Sequence, residues 1–371
     1  MSARPTVVRR APGKLFVAGE YAVVEPGNQA ILVAVDRYIT VTVADPAEPG
    51  VLLATDLAPR PARCHWQDGR LAGRGPQDER LAREGLTHVV AAVETVTRLL
   101  AERGLDAPAL DVSVSSGLHD GGTKFGLGSS GAVTVATVDA VAAFCGLDLS
   151  YDERYRLAVL ATAGLDPKGS GGDLAASTWG GWLAYRAPDR TAVLDLARRA
   201  GVGEALSAPW PGHEVRRLPP PQGLALEVGW TGNPASTASL VSGLDRRTWR
   251  GSASHRRFVE TTGDFVRAAV DALEAGDGNG LLEQIRRARR ELTRVDEAVG
   301  LGIFTPELTA LCDAAETVGG AAKPSGAGGG DCGIALLDAE ASSDIAHVRK
   351  LWTTAGVRPL QLRPAMEGNE E

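Results

Sequence analysis

The sequence Lys-Phe-Gly-Leu-Gly-Ser-Ser-Gly-Ala at residues 124–132 is the stretch around which the chain is organised. Three glycines and two serines stand directly before residues 132–144, a run of mostly small and apolar residues without Gly or Pro. This pattern predicts a glycine loop that feeds the N-terminus of a helix. Unpaired N–H groups and the positive end of the helix dipole favour an anion there, typically phosphate. The alternative is an ordinary Gly/Ser turn without a ligand.

Known phosphate-loop signatures do not account for this stretch. The glycines have the G-x-G-x-x-G spacing, but the preceding predicted strand ends about ten residues upstream, unlike a dinucleotide-binding turn. A Walker loop is excluded because Thr123-Lys124 reverses the required Lys-Thr order. The HRD and DFG signatures of protein kinases are absent as well. The loop is therefore predicted to hold phosphate in some other way.

Composition bounds the class of protein. A chain of 371 residues is long enough for two domains. The composition shifts at about residues 187–222, which include Pro209, Pro211 and Pro219–Pro221. A division in this Pro-rich stretch gives residues 1–205 and 206–371. The net charge of −7 provides no basic field for nucleic acid or membrane. Four cysteines without a CxxC pair argue against a disulfide framework or zinc site. We expect a cytoplasmic, reduced protein that acts on small molecules as a monomer or homodimer.

Lysine is rare and unevenly placed. The chain has 39 Lys plus Arg, of which five are lysines: Lys14, Lys124, Lys168, Lys323 and Lys350. Four of these five stand in or beside Gly-rich segments. In a chain that otherwise carries its positive charge on Arg, a lysine there indicates a position that needs a compact ammonium rather than a planar guanidinium. Chance is the alternative, because the chain contains 45 glycines.

The remaining pattern mixes strands and helices without a regular alternation, which favours an α+β protein. Residues 6–10 and 15–18 are predicted strands, with residues 11–14 as a break between them. Ser150 with Glu153 predicts a capping box. Thr305 followed by Pro306 predicts another helix start.

Three segments in order resemble the motifs of the GHMP small-molecule kinases. They are Pro12-Gly-Lys14 with Gly19-Glu-Tyr21, then Gly126-Leu-Gly-Ser-Ser-Gly-Ala132, then Lys323-Pro-Ser-Gly-Ala-Gly-Gly-Gly-Asp331. The resemblance implies a GHMP kinase fold. Its N-terminal domain would be like the second domain of ribosomal protein S5, its C-terminal domain would be ferredoxin-like, and the site would lie between them.

Within the superfamily, the wording of these segments is most similar to the branch that phosphorylates 5-phosphomevalonate with ATP and Mg²⁺. That reaction makes mevalonate 5-diphosphate on the mevalonate route to isoprenoids. The alternatives are the branch that phosphorylates mevalonate, which usually has His where Tyr21 stands, and another related GHMP kinase. A decarboxylase of the same fold and an ATP-binding sensor without turnover are less consistent with the motifs.

The resemblance implies roles for individual residues. The nucleotide phosphates would be held by Lys124, Gly126, Leu127, Gly128, Ser129, Ser130, Gly131 and Ala132. Lys14, expected to follow a strand and enter a turn, would neutralise the transferred phosphoryl group. Asp173 matches the catalytic aspartate, although it could also be a helix N-cap for residues 174–177. Ser130 and Asp173 are the candidate ligands of Mg²⁺.

The acceptor side is predicted from the same motifs and from two further turns, at residues 166–173 and 233–237. Its candidate residues are Lys14, Glu20, Tyr21, Lys168, Ser170, Ser236, Lys323, Ser325, Gly326, Ala327 and Gly328. A phosphomonoester acceptor is largely dianionic at pH 7, since its second pKa is about 6. It needs no general base, so Asp173 would orient Lys14 or bind the metal ion.

Overall fold

A computed structural model describes residues 4–167, 169–234 and 249–366. Two of the predicted acceptor-side residues, Lys168 and Ser236, lie outside the described residues. None of the helices in those ranges combines the length and apolar composition needed to cross a membrane.

The strands divide between a larger and a smaller sheet. In chain order they are β1 Val7–Ala18, β2 Gln29–Ala44, β3 Val51–Thr55, β4 Ala62–Gln67, β5 Arg70–Gly73, β6 Leu110–Ser116, β7 His119–Asp120, β8 Thr123–Lys124, β9 Trp182–Arg186, β10 Glu214–Leu218, β11 Leu224–Trp230, β12 Ala321–Pro324, β13 Cys332–Asp338 and β14 Arg358–Leu360. The larger sheet has the order β10-β9-β2-β6-β3-β4-β5, with β1 antiparallel to β2. β7 and β8 form a separate hairpin.

The helices pack on these sheets. They are α1 Pro76–Arg80, α2 Thr87–Glu102, α3 Ser129–Phe144, α4 Tyr151–Ala163, α5 Gly172–Trp179, α6 Arg190–Ala200, α7 Val202–Ser207, α8 Ala253–Ala275, α9 Gly278–Val299, α10 Pro306–Glu316 and α11 Ser342–Thr354. A 3₁₀ turn over Ala22–Val24 follows β1, and a π-helical turn over Leu81–Gly85 joins α1 to α2. The predicted capping box of Ser150 is confirmed, as is the Thr305 cap of α10.

β1 is one continuous strand, so the predicted break at residues 11–14 is wrong. The pairing with β2 shifts register between Pro12 and Gly13, and an irregularity of this kind tolerates a proline without its N–H donor. Lys14 therefore pairs with Ala34 inside the strand and does not enter a turn. Its backbone is fixed by the sheet.

The change from one sheet to the other lies between β10 and β11. β10 pairs with β9 in the larger sheet, and the triplet Pro219–Pro221 follows it. The predicted division after residue 205 therefore does not coincide with the change of sheet. The place where the chain leaves the larger sheet is determined by strand pairing. The sequence of β10 alone does not show which strand it pairs with.

The smaller sheet has the spatial order β12-β13-β11-β14, and its strands pair antiparallel. Helices α8 to α10 separate β11 from β12, and α11 separates β13 from β14. This is the β-α-β-β-α-β order of a ferredoxin-like arrangement, as predicted. After β14 the chain returns to the larger sheet, where the N–H of Ala365 donates to the carbonyl of Ala34 (2.9 Å).

Candidate active site

The glycine loop leads into a helix as predicted, but α3 begins at Ser129, three residues before the predicted start at residue 132. Gly128 is the N-cap of α3 in the left-handed conformation, with φ of 74°, which glycine adopts without steric cost. The buried side chains of Leu127 and Ala132 anchor the loop in the core. The carbonyl of Leu127 accepts a hydrogen bond from the N–H of Lys14 at 2.8 Å. The loop is thereby attached directly to β1.

The two predicted catalytic side chains meet against this loop. A Cβ atom built on Gly128 would lie 3.1 Å from Cε of Lys14 and 3.3 Å from Cβ of Asp173. A Cβ atom on Gly131 would lie 2.6 Å from the carboxylate carbon of Asp173. Glycine is therefore required at both positions for the lysine and the aspartate to approach the helix N-terminus.

Asp173 is positioned by α5. The helix begins at Gly172 with Gly171 as its N-cap, so the alternative that Asp173 caps it is wrong, and Asp173 lies in the first turn. Ser177 of the same helix donates to the carbonyl of Pro12 (2.7 Å), two residues from Lys14. This contact fixes α5 relative to the strand that carries the lysine.

The Lys14 ammonium is buried, with 8% of the residue exposed. Burial lowers the pKa of Lys14 from its ordinary value of 10.5, while the carboxylates of Asp173, Asp331 and Glu20 raise it. The ammonium lies 5.1 Å from the ring centroid of Phe16. A positive charge held against this burial is well placed to meet an incoming anion.

A cleft of about 490 Å³ opens in front of Lys14. It has an apolar part that includes Phe16, Val23 and Val24. Ten predicted site residues line it: Lys14, Glu20, Tyr21, Gly126, Gly128, Ser130, Ser170, Asp173, Gly326 and Ala327. The three motifs that are far apart in sequence thus face one cavity.

Lys323, predicted to contact the acceptor, does not line the cleft. Its ammonium is fully buried, forms an ion pair with Glu20 and donates to the carbonyl of Pro324 (2.7 Å). Glu20 also accepts from the N–H of Gly326 at 3.4 Å. A buried ammonium requires such a partner. The sequence could not show that Glu20 is the partner of Lys323, because the two residues are 303 positions apart.

Ser325 and Gly328 also hold the last glycine loop from behind. The hydroxyl of Ser325 accepts from the N–H of Phe16 (2.9 Å) and donates to its carbonyl (3.1 Å). A Cβ atom on Gly328 would lie 2.5 Å from the carbonyl oxygen of Ile303. Tyr21 adds a hydrogen bond from its hydroxyl to the carbonyl of Ala327. We call the contacts of residues 323–328 with residues 16–21 the loop clasp.

The remaining predicted nucleotide-side residues surround the loop. Lys124 is exposed in β8. Ser129, the first residue of α3, is half-buried. Leu127 and Ala132 point their side chains into the core, which leaves only their backbone groups for a ligand.

Two acidic residues of the site, Asp331 and Asp166, are not among the site residues predicted from the sequence. Asp331 packs its carboxylate against Gly126 and has a positive φ of 52°; the signal was an Asp that closes the last glycine run before a strand. Asp166 lines the cleft and opens the second glycine segment. Within the described ranges, no three His, Cys, Asp or Glu side chains come together as a metal site.

Known proteins share this sequence and architecture. Residues 88–181 match the family described as GHMP kinases N terminal domain, and residues 269–353 match GHMP kinases C terminal. The chain is 73% identical to the phosphomevalonate kinase of Streptomyces sp. (strain CL190) over 367 residues, with 98% of each chain covered.

More distant relatives are kinases as well. The mevalonate kinase of Thermococcus onnurineus (strain NA1) is 29% identical, with 98% of this chain and 97% of that protein covered. The structure of Streptococcus pneumoniae phosphomevalonate kinase in complex with phosphomevalonate and AMPPNP superimposes with a TM-score of 0.83 and 26% identity. That match covers 96% of this chain and 99% of the other.

Proposed function

The chain belongs to the GHMP kinase family, and on this basis we propose that it transfers the γ-phosphoryl group of ATP to 5-phosphomevalonate. The products are mevalonate 5-diphosphate and ADP. The observation that carries the proposal is the 73% identity, over 98% of both chains, to a phosphomevalonate kinase. The cleft supports it, because Lys14 and Asp173 lie against the predicted phosphate loop.

The transfer is a displacement between two anions. An oxygen of the acceptor phosphate forms a bond to the γ-phosphorus, and the bond from that phosphorus to the β–γ bridging oxygen breaks, so that ADP leaves. The acceptor oxygen is already deprotonated near pH 7, so no base is required. Alignment and charge neutralisation are what the protein supplies.

Lys14 supplies the charge at the point of transfer. Its ammonium would contact the γ-phosphoryl group and the acceptor phosphate, both of which enter the cleft that it lines. Asp173 would orient this ammonium. The backbone N–H groups of residues 126–132, with Lys124 nearby, would hold the nucleotide phosphates.

Two oxygen donors in the cleft are suitable ligands for Mg²⁺. The hydroxyl of Ser130 and the carboxylate of Asp173 are oxygen donors in one cleft, and Mg²⁺ is usually bound by one or two carboxylates together with substrate phosphates. When bound, the ion would neutralise phosphate charge. In this proposal Glu20, Tyr21, Ser170, Gly326 and Ala327 form the acceptor wall. Lys323, Ser325 and Gly328 support that wall from behind.

The setting follows from the substrates. Both are small anions, so we propose an enzyme of the cytoplasm, as a monomer or homodimer, without a nucleic-acid or membrane partner. The free cysteines Cys64, Cys145, Cys312 and Cys332 are compatible with a reducing compartment.

An acceptor panel tests the proposal. Purified enzyme is given ATP, Mg²⁺ and one acceptor at a time, and ADP release is followed by a coupled assay. We expect turnover with 5-phosphomevalonate and little with mevalonate, homoserine or galactose. Turnover with mevalonate in place of 5-phosphomevalonate would favour the function of the relative that is 29% identical. Release of no ADP with any acceptor would favour a binding protein.

A further inference from the structure

Behind the cleft wall at residues 169–170 lies a group of buried side chains that do not themselves line the cleft. Arg190, the first residue of α6, is 7% exposed. It donates to the carbonyl of Gly169 (3.1 Å) and to the hydroxyl of Thr162 (2.5 Å). Within the described ranges its Nε has no hydrogen-bond partner. The hydroxyl of Thr162 can accept from Arg190 because it donates its own proton to carbonyls of α4.

Tyr185 holds the next peptide group, and the hydroxyl of Tyr155 lies beside that of Tyr185. The hydroxyl of Tyr185 donates to the carbonyl of Ser170 at 2.5 Å, and the hydroxyls of Tyr155 and Tyr185 lie 2.9 Å apart. Because Tyr185 uses its proton on Ser170, Tyr155 must donate to Tyr185. Both side chains are fully buried, so this chain of donors is screened from solvent.

These contacts decide which way two amide groups point. In a trans peptide the C=O of one residue and the N–H of the next point in opposite directions. The carbonyls of Gly169 and Ser170 accept from Arg190 and Tyr185, so the N–H groups of Ser170 and Gly171 point away from those two side chains. Gly169 and Ser170 themselves line the cleft. Among the described residues, neither N–H has a protein acceptor.

Gly171 shows how closely the group is packed. It has φ of 75° and caps α5. A Cβ atom on it would lie 3.1 Å from the hydroxyl of Tyr185 and 3.8 Å from a guanidinium nitrogen of Arg190. The same residues thus fix the start of the helix that carries Asp173.

We propose that Arg190 and Tyr185 are positioning residues, which hold the carbonyls of Gly169 and Ser170 so that the following two N–H groups bind the phosphate of the acceptor. Arg190 adds a buried positive charge behind that phosphate. The inference rests on the proposed function, since it assigns the anion in this part of the cleft to the acceptor. Neither side chain touches the reacting atoms.

Matched variants test the proposal. Tyr185→Phe removes the hydrogen bond to Ser170, whereas Tyr155→Phe removes a hydroxyl of the same buried pair that makes no hydrogen bond to the loop. We expect Tyr185→Phe to raise the KM for 5-phosphomevalonate about fivefold to tenfold, the loss of one hydrogen bond. The KM for ATP and kcat should stay within about twofold. Tyr155→Phe should change each constant less than about twofold.

Arginine variants provide an independent arm. Arg190→Met should raise the acceptor KM about tenfold or more, and Arg190→Lys should recover part of that loss by restoring the charge. Arg156→Met is the control, because Arg156 also holds backbone carbonyls, those of Leu206 and Ala208, but neither of those two residues lines the cleft. If Arg190→Met fails to fold, Tyr185→Phe and Arg190→Lys still test the positioning role.

Calorimetric binding of 5-phosphomevalonate, measured without ATP, separates this inference from the proposed function. Weaker binding to Tyr185→Phe than to Tyr155→Phe supports the positioning role even if turnover is absent. Equal binding to the two variants, a change confined to the melting temperature, or no binding to the unaltered protein overturns it. Normal turnover by the unaltered protein with equal binding to the variants overturns only the positioning role.

Discussion

At the scale of single residues, the site brings a buried ammonium and a carboxylate to one helix N-terminus. Lys14 and Asp173 both approach Gly128, yet they are 159 positions apart in the chain (173 − 14). Their chemistry depends on which acceptor they serve. An alcohol acceptor needs a base, whereas a phosphate acceptor needs neutralisation of charge.

Replacing each residue in turn distinguishes these needs. We expect Lys14→Met to lower kcat at least about a hundredfold, since it removes the charge at the point of transfer. Asp173→Asn keeps the shape and should cost clearly less, about tenfold. Single-turnover kinetics with 5-phosphomevalonate measure both. The opposite ranking would contradict the role of Asp173 as an orienting group and would indicate a general base.

The alkaline limb of the pH profile reports Lys14. Burial lowers the pKa of Lys14 below 10.5, and the proposed role of Lys14 requires its protonated form. As pH rises through that lowered pKa, kcat/KM should therefore fall, since this constant reports the free enzyme. Lys14→Arg should move the limb to higher pH, because a guanidinium stays protonated. An unchanged limb in that variant would assign the titration to another group.

At the scale of secondary-structure elements, α3 and α5 are placed by glycines. Gly131 stands in the first turn of α3, where its missing side chain leaves room for the carboxylate of Asp173. The sequence predicted the loop and the helix, because glycine spacing and an apolar run are local signals. It did not predict the contact, because nothing local relates α3 to α5.

Adding one methyl group should separate catalysis from stability. Gly131→Ala would place a Cβ atom 2.6 Å from the carboxylate carbon of Asp173, so we expect kcat to fall about a hundredfold. Gly164→Ala is the control, since nothing lies within 4 Å of its added Cβ. Full activity of Gly131→Ala would show that Asp173 can move without loss. Kinetics and thermal melts of both variants provide the comparison.

Sequence patterns therefore predicted those parts of the molecule whose cause is local. The caps of α4 and α10, the glycine loop and the three motifs are read from neighbouring residues. The continuity of β1 through Pro12 and the membership of β10 in the larger sheet depend on pairing with distant strands. For the same reason the motif lysine Lys323 was assigned to the acceptor, although its charge is used by Glu20.

At the scale of the whole molecule, the loop clasp joins the two sheets through a buried ion pair. Removing one partner of such a pair costs about 3–5 kcal/mol, because the other charge stays buried alone. We expect Glu20→Gln and Lys323→Met each to lower the free energy of unfolding by about that amount, and the double variant to lose less than the sum. Urea denaturation measures all three.

A surface pair provides the reference for that cycle. Asp195 and Arg198 form an ion pair whose side chains are 52% and 66% exposed, and such pairs contribute about 0–1 kcal/mol. Asp195→Asn should therefore leave the free energy of unfolding nearly unchanged. If Glu20→Gln proves as mild as this control, the ion pair does not hold the two sheets together.

The loop clasp also sets an order of events during synthesis of the chain on the ribosome. Residues 124–132 emerge early, but Lys323, Ser325 and Ala327 must emerge before Glu20, Phe16 and Tyr21 acquire these partners. Although domains can fold as they are made, a nascent chain that ends before residue 323 lacks Gly326 and Ala327 of the cleft lining. The loop clasp can therefore form only after residue 327 has been translated.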